Sequence, residues 1–191
     1  MMTMTRYDII NRFISQRGYL SFLEIGTARG EAFHAVRCER KVSVDPDPRT
    51  PATFHLTSDN FFLTCNEMFD IVFIDGLHEC NQVYRDVMNS LGVLNPSGMI
   101  VMHDCHPTTE RMQEYVENFT GGYEWTGDVW KAFVYARSTL PYEMYVLDYD
   151  WGCGIIDTSI IRKPATGLPD CMDSMTYADF VAHPEWMNFR R

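Results

Sequence analysis

The stretch Ser21–Gly30, SFLEIGTARG, constrains this chain most. Phe22–Ile25 is a short apolar run carrying one carboxylate, Glu24. Gly26 follows directly, and the small residues Ala28 and Gly30 come at even spacing. The pattern predicts a buried strand, a tight turn and a helix start. Gly26 permits the turn because a residue without Cβ reaches positive φ cheaply. Ala28 and Gly30 leave room for a ligand and for the next helix to approach the backbone. Glu24 puts an acceptor at the strand end, which suits a ligand amine or hydroxyl better than a phosphate. Together these features make a nucleoside-binding turn of the doubly wound kind.

The remaining chain alternates between strand and helix signals. Residues 4–17 place Tyr7, Ile10, Phe13 and Ile14 at helical spacing, and Gly18 ends that run. A helix is expected over Glu31–Cys38 and a second strand over Lys41–Asp45, which DPDPRTP cannot prolong. Asp45 lies 19 residues after Gly26. Doubly wound folds place a ribose ligand near that spacing. A turn aspartate capping backbone N–H groups is the other reading of Asp45. Thr53–Thr57 reads as a third strand, with Ser58 or Asp59 capping a helix through Cys65.

Phe69–Gly76, FDIVFIDG, is nearly continuously apolar, as expected of a strand covered on both faces. Helix is expected over Asn81–Leu94, a turn at Asn95–Gly98 and a strand over Met99–Met102. Further helices are expected over Thr108–Phe119 and Asp128–Arg137. Tyr142–Leu147 and Gly154–Ile161 are joined by DYDWGCG, too short for a crossover helix, so they should pair antiparallel. The sum is one α/β domain over residues 1–191, a Rossmann-like doubly wound sheet. Five parallel strands precede an antiparallel hairpin, an N-terminal helix lies within 1–18, and the 163–191 tail holds one short helix.

Composition narrows the function classes. A net charge of −10 argues against nucleic-acid backbone or an anionic membrane as the main partner. No apolar run reaches the roughly 18 residues that span a bilayer, and MMTMTRYDII lacks an apolar signal core. Six scattered cysteines without a C-x-x-C read as reduced thiols of a cytoplasmic protein.

Asp75, His78, His103, Asp104 and His106 should gather at the carboxyl ends of two strands, the edge where open α/β sheets bind ligands. Carboxylates with imidazoles there suit a hard or borderline divalent cation, or general-base work. Structural readings stand beside these: His78 as a helix-cap partner, and His103–Asp104 as a pair closing the strand. Cys105, a lone thiol, is expected to be inert. Trp130 and Lys131 could line an acceptor pocket or belong to the core.

LEIGTARG, VSVDPDP, HLTSDNFF, FDIVFIDGLHECNQVYRDV, LNPSGMIVMHDC and GDVWKA, from about residue 20 to 137, carry a resemblance. The sequence resembles class I S-adenosylmethionine-dependent methyltransferases. Within them it looks most like the small-domain branch of macrocin-type O-methyltransferases and cephalosporin-hydroxylase-like proteins. The resemblance implies a seven-stranded fold with a C-terminal antiparallel hairpin and S-adenosyl-L-methionine as cofactor. Glu24, Gly26 and Gly30, with Thr27 and Ala28 in the same turn, would hold the methionine part. Asp45 would accept from the ribose, Thr57, Ser58 and Asp59 would border the adenine, and Asp75 would lie beside the methyl group.

Related metal-dependent members use acids at these two strand ends, with an acid or amide after the second aspartate. Here Asp104 is followed by Cys105 and preceded by His103. The candidate ligands for Mg2+ or another divalent cation are therefore Asp75, Asp104 and His103. The catalytic candidates are His78 as base, with Asp75 and His103. The acceptor implied is a small hydroxylated molecule, served by a monomer or homodimer. Competing functions are a non-catalytic cofactor-binding protein of this fold, a nicotinamide oxidoreductase and a metal hydrolase.

Overall fold

Thr5 starts the first helix. Its side chain accepts from the Asp8 N–H, and the Asp8 carboxylate accepts from the Thr5 N–H, a reciprocal capping box. Helix α1 (Arg6–Arg17) ends at Gly18 in the left-handed conformation, and strand β1 (Ser21–Ile25) follows. The computed structural model describes residues 4–191, so residues 1–3 of the expected N-terminal segment lie outside the described residues. The succession continues with α2 (Glu31–Ala35), β2 (Arg40–Val44), α3 (Ser58–Thr64), β3 (Phe69–Ile74), α4 (Cys80–Gly92) and β4 (Leu94–Met102). Helix α5 (Val129–Thr139), β5 (Tyr142–Leu147), β6 (Cys153–Ile161), α6 (Tyr177–Ala182) and β7 (Phe189–Arg190) complete it.

One sheet takes the order β2-β1-β3-β4-β6-β5-β7. Strands β2, β1, β3 and β4 are parallel, and β6 runs antiparallel to both β4 and β5. Side chains alternate across the sheet with period two, so it separates two cores. Leu23, Val72, Ile74, Ile100 and Met102 face α4 and α5, whereas Phe22, Ile71, Phe73, Met99 and Val101 face α1 and α2. Burial on both faces is what the continuous apolar run of β3 requires.

At the amino ends of the strands the Asp70 carboxylate ties three segments together. It accepts from the Leu20 N–H at 2.8 Å, the Ser21 N–H and Oγ at 2.9 Å, and Asn95 Nδ2 at 2.7 Å. Burial pushes the Asp70 carboxyl up, but donors from Leu20, Asn95 and Ser21 outweigh it and hold its pKa below the usual range. All six cysteines are free, and Cys105 is fully buried with its thiol pushed up, as an inert thiol should be. No helix among the described residues is long and apolar enough to cross a membrane.

Several expectations fail for local reasons. Thr53–Thr57 is not a strand. It makes one isolated bridge, Val44 to Phe54, with Thr53, Phe54 and His55 exposed. Four parallel strands, not five, therefore precede the hairpin, and the seventh strand is the C-terminal β7, which pairs parallel with β5 at the far edge. Thr57, not Ser58 or Asp59, caps α3, accepting from the Asn60 N–H. Helix α2 stops at Ala35 because Asn11 of α1 donates to the Ala35 carbonyl and accepts the Arg37 N–H.

Thr108–Phe119 forms two 3-10 turns, Glu110–Gln113 and Val116–Asn118, instead of an α-helix. The carbonyls an α-helix would use are taken from afar: Met112 O by the Thr126 and Gly127 N–H groups, and Glu114 O by Trp125 Nε1. Asn95–Gly98 does turn, as a bulge inside β4 with Ser97 at φ 66°.

Asp70→Ala should destabilise the protein by about 2 kcal/mol, since it orphans several donors at once. Urea unfolding at neutral pH checks this, and an unchanged midpoint would mean that the clamp carries no net stability.

Candidate active site

The chain leaves β1 for β2 on one side and returns to β3 on the other, so the sheet's switch point lies at β1. There Gly26 donates to the Val44 carbonyl and the Asp75 N–H donates to the Ile25 carbonyl, both at 2.8 Å. Gly26 sits at φ 87°, and a Cβ on it would lie 2.2 Å from the Asp75 carbonyl oxygen. Only glycine lets the β1 turn and the end of β3 come this close.

Two adjoining cavities open at this point. The larger, about 480 Å³, is lined by Gly26, Ala28, Asp45, Thr57, Ser58, Asp59, Asp75, Leu77, Gln82 and Asp86, among others. The smaller, about 290 Å³, is lined by Arg6, Glu24, Gly26, Thr27, Ala28, Arg29, Glu31, Ala32 and Asp75. Gly26, Ala28 and Asp75 border both. Gly30 borders neither lining and serves as the N-cap of α2 in the left-handed conformation.

Asp45 caps backbone N–H groups of the turn. Its Oδ2 accepts from the Thr27 N–H at 3.0 Å and the Ala28 N–H at 2.9 Å, and its Oδ1 accepts from the Asp47 N–H at 2.9 Å. It shapes the turn and still lines the larger cavity. At that cavity's other wall, Gln82 Nε2 lies 3.2 Å from Ser58 Oγ, 3.3 Å from Asp59 Oδ1 and 3.0 Å from Asp86 Oδ1. Asp86 is buried, and its carboxyl is pushed up to about 6, chiefly by that burial.

In the smaller cavity Glu24 is 1% exposed, and burial, reinforced by Asp75, raises its pKa to about 8. Arg6 Nε, Glu24 Oε2 and Thr27 Oγ1 are buried there without hydrogen-bond partners.

Asp75, His78 and Asp104 come together as expected, and their ligand atoms could hold one cation. His78 Nε2 is 3.4 Å from Asp75 Oδ1, and its Nδ1 is 3.3 Å from Asp104 Oδ2. His103 Nδ1 is 3.3 Å from Asp75 Oδ1 and 3.2 Å from Asp104 Oδ2, with Nε2 3.8 Å from Asp150 Oδ1. His78 Nδ1 and both His103 nitrogens are buried without a hydrogen bond. The sequence reading named His103 as third ligand; the structure brings His78 into that place and leaves His103 against the same two carboxylates.

Burial disfavours charge on Asp75, His78 and His103, yet the opposite charges outweigh it. His103 is held well above the usual imidazole range by Asp75 and Asp104, His78 is raised by the same pair, and Asp75 is held low. Four non-glycine residues at this edge take positive φ: Ala28 (44°), Asp104 (59°), Asp150 (47°) and Trp151 (60°). Backbone strain of this kind gathers at functional sites.

GDVWKA turns out to be the buttress of His78. A Cβ on Gly127 would lie 1.9 Å from the His78 carbonyl oxygen. The Asp128 N–H donates to that carbonyl at 3.2 Å, and Asp128 Oδ1 accepts the Cys80 N–H at 2.7 Å, opening α4. Lys131 pairs with Asp128, and Trp130 is fully buried with its Nε1 donating to Gln113, so both belong to the core. His106 leaves the cluster; it pairs with Asp148 at 2.7 Å and packs on Phe180 and Phe189.

Sequence reading missed Arg6, Gln82, Asp86 and Asp150. Gln82 and Asp86, four apart on α4, carried a usable signal. Asp86 adjoins the apolar stripe Val83–Val87, where a carboxylate is costly unless it serves a site.

Residues 23–105 match a family model described as a methyltransferase domain. Similar folds occur in an O-methyltransferase from Bacillus cereus in complex with SAH (15% identity, 80% of each chain covered, TM-score 0.57). They also occur in the O-methyltransferase TomG from Streptomyces achromogenes, involved in tomaymycin synthesis and in complex with SAM (13% identity, 82% of this chain and 79% of that one, TM-score 0.59). A third is the SAH-bound Podospora anserina methyltransferase PaMTH1 (14% identity, 80% and 77% covered, TM-score 0.59). Identities this low establish the fold. No curated protein shows significant sequence similarity to the chain.

Because the folded chain binds the Glu24 proton more tightly than the unfolded chain does, stability should fall as pH rises from about 4.5 to about 8. Glu24→Gln removes that decline. The variant's urea midpoint, relative to the parent's, should climb across this window, and a flat difference would show that burial does not act on Glu24.

Proposed function

We propose that the chain, whose residues 23–105 match a methyltransferase-domain model, transfers methyl from S-adenosylmethionine to a hydroxyl of a small acceptor. One observation carries this reading. Asp75 borders both cavities and also touches His78 and His103, so a nucleoside cleft runs directly into an acid–imidazole cluster. The nucleoside lies in the larger cavity, with Asp45 at the ribose and Thr57, Ser58, Asp59, Gln82 and Asp86 around the base. The amino-acid tail lies in the smaller cavity beside Glu24. The reactive centre then falls at Asp75.

S-adenosylmethionine supplies an activated methyl group, so the protein's work is alignment of the acceptor and removal of one proton. The acceptor approaches on the side of Leu77 and Trp125. Trp125 stacks on the His78 ring at 4.9 Å and on Phe119 at 5.2 Å, and Leu77, Tyr115 and Phe119 present exposed apolar surface. His78, at the mouth of the cluster, is the proton acceptor when its ring is neutral. His103 is 5% exposed, too buried to meet an acceptor, and acts by positioning Asp75 and Asp104.

The cluster fits a divalent cation. Two carboxylates and an imidazole converge, and the orphaned His78 Nδ1 and His103 Nδ1 lie 3.2–3.3 Å from carboxylate oxygens, at or past the long end of hydrogen-bond distance. Asp75 and Asp104 would hold it through oxygen ligands that suit Mg2+ or Mn2+, which leaves the His78 ring free to act as the base. A cation there would supply Lewis acidity that lowers the pKa of an acceptor hydroxyl. Cation and imidazole protons compete for the same carboxylates.

S-adenosylhomocysteine formation over a panel of small mono- and vicinal dihydroxy acceptors tests the function. Turnover should appear with Mg2+ or Mn2+ and fall on chelation. His78→Ala should lower kcat by on the order of 10²-fold, and Asp104→Ala should remove the cation dependence. Neither turnover nor cofactor binding would overturn the reading.

A further inference from the structure

A third cavity, about 320 Å³, lies between α1 and β5 and shares no lining residue with the two at the glycine turn. The sheet order accounts for it. The core under α1 and α2 extends from β1 through β3 and β4 to β6, and β5 lies one strand further out. At that margin Tyr145, Leu147 and Tyr149 pack on the core but stay half-buried. Phe13 of α1 faces the two tyrosines across the cavity. Small-molecule sites begin at about 300 Å³, so this one suits a single ring with a short substituent.

Charge sets the cavity apart. Acids outnumber Lys and Arg by 26 to 16 in this chain, yet the charged residues lining it are Arg12, Arg190 and Arg191, with no carboxylate beside them. Arg190 reaches Glu143 through Nη2 and lies 4.0 Å from the centre of the Tyr145 ring. Arg191 Nη2 stands 3.5 Å from Asp148, a loose pair. Arg12 is exposed and pairs with no acid among the described residues. A positive rim over aromatic walls calls for a ligand that is negative at one end and flat at the other.

We propose that this cavity binds a small aromatic acid, its carboxylate held by Arg12 and Arg190 and its ring set among Phe13, Tyr145 and Tyr149. The planar guanidinium fork meets a carboxylate with two parallel hydrogen bonds. Aromatic side chains offer faces and edges to a flat ring. The site stands apart from the nucleoside cleft and does not rest on the methyltransferase reading. The competing account is that the three arginines only cover apolar surface with their stems.

Calorimetry with 4-hydroxyphenylacetate and its uncharged counterpart, 4-hydroxyphenylacetamide, separates the two. The acid should bind one to one, and the amide about tenfold more weakly or worse, roughly 1.4 kcal/mol. Arg12→Gln should weaken the acid about tenfold and leave the amide within about twofold. Arg12 is exposed, so its urea midpoint should not move, which reports that the variant is folded. Saturating S-adenosylhomocysteine should leave the acid bound. Three results would each overturn the proposal: no binding of the acid at millimolar concentration, equal affinity for acid and amide, or displacement of the acid by S-adenosylhomocysteine.

Discussion

One half-buried carboxylate, Asp75, holds the charged end of this structure together. Arg6 from α1, His78 from the β3–α4 connection and His103 from the end of β4 all lie within 3.6 Å of it. Burial alone would neutralise such a group, yet His103 and His78 hold its pKa low. The dependence runs the other way too. Removing one partner of a buried charge network leaves the others uncompensated, and Asp75 is among the charges that raise the pKa of His78, His103 and Arg6. Asp150, on the strained β5–β6 connection, balances the far side of Arg6 and His103.

The sheet places this carboxylate where it can act. Parallel strands bring their carboxyl ends to one edge, and the chain's reversal around β1 opens a crevice there. Gly26 lets that crevice form against the Asp75 backbone, and Gly127 lets the loop before α5 press on the His78 backbone from the other side. The two glycines serve the same end: neither neighbour leaves space for a Cβ. Core packing and site geometry are thus one problem, since the buried GDVWKA segment that completes the α5 core also fixes the orientation of His78.

The elements that local sequence decides were legible: α1 from its apolar spacing and Gly18, β1 and β3 from their apolar runs, the β5–β6 hairpin from its short connection. The glycine turn, Asp45 and the meeting of Asp75, His78, His103 and Asp104 were legible for the same reason, because strand ends in a parallel sheet share an edge. What failed depends on distant partners. Residues 108–119 have a helical look, but Trp125, Thr126 and Gly127 claim the carbonyls the helix needs. TFHLT alternates like a strand, yet at the sheet edge it keeps a single bridge. Arg6 meets Asp150 across 144 residues of chain, Asp150 meets His103 across 47, and Asp86 shares a cavity wall with Asp59 across 27, and no local pattern marks such meetings.

A crystal structure with S-adenosylhomocysteine bound is the most direct test. The account predicts the adenine between Thr57–Asp59 and Gln82–Asp86, the ribose at Asp45, the sulfur beside Asp75 and the amino-acid tail beside Glu24. A ligand seated away from the strand ends, or one whose sulfur points away from Asp75 and His78, would contradict it.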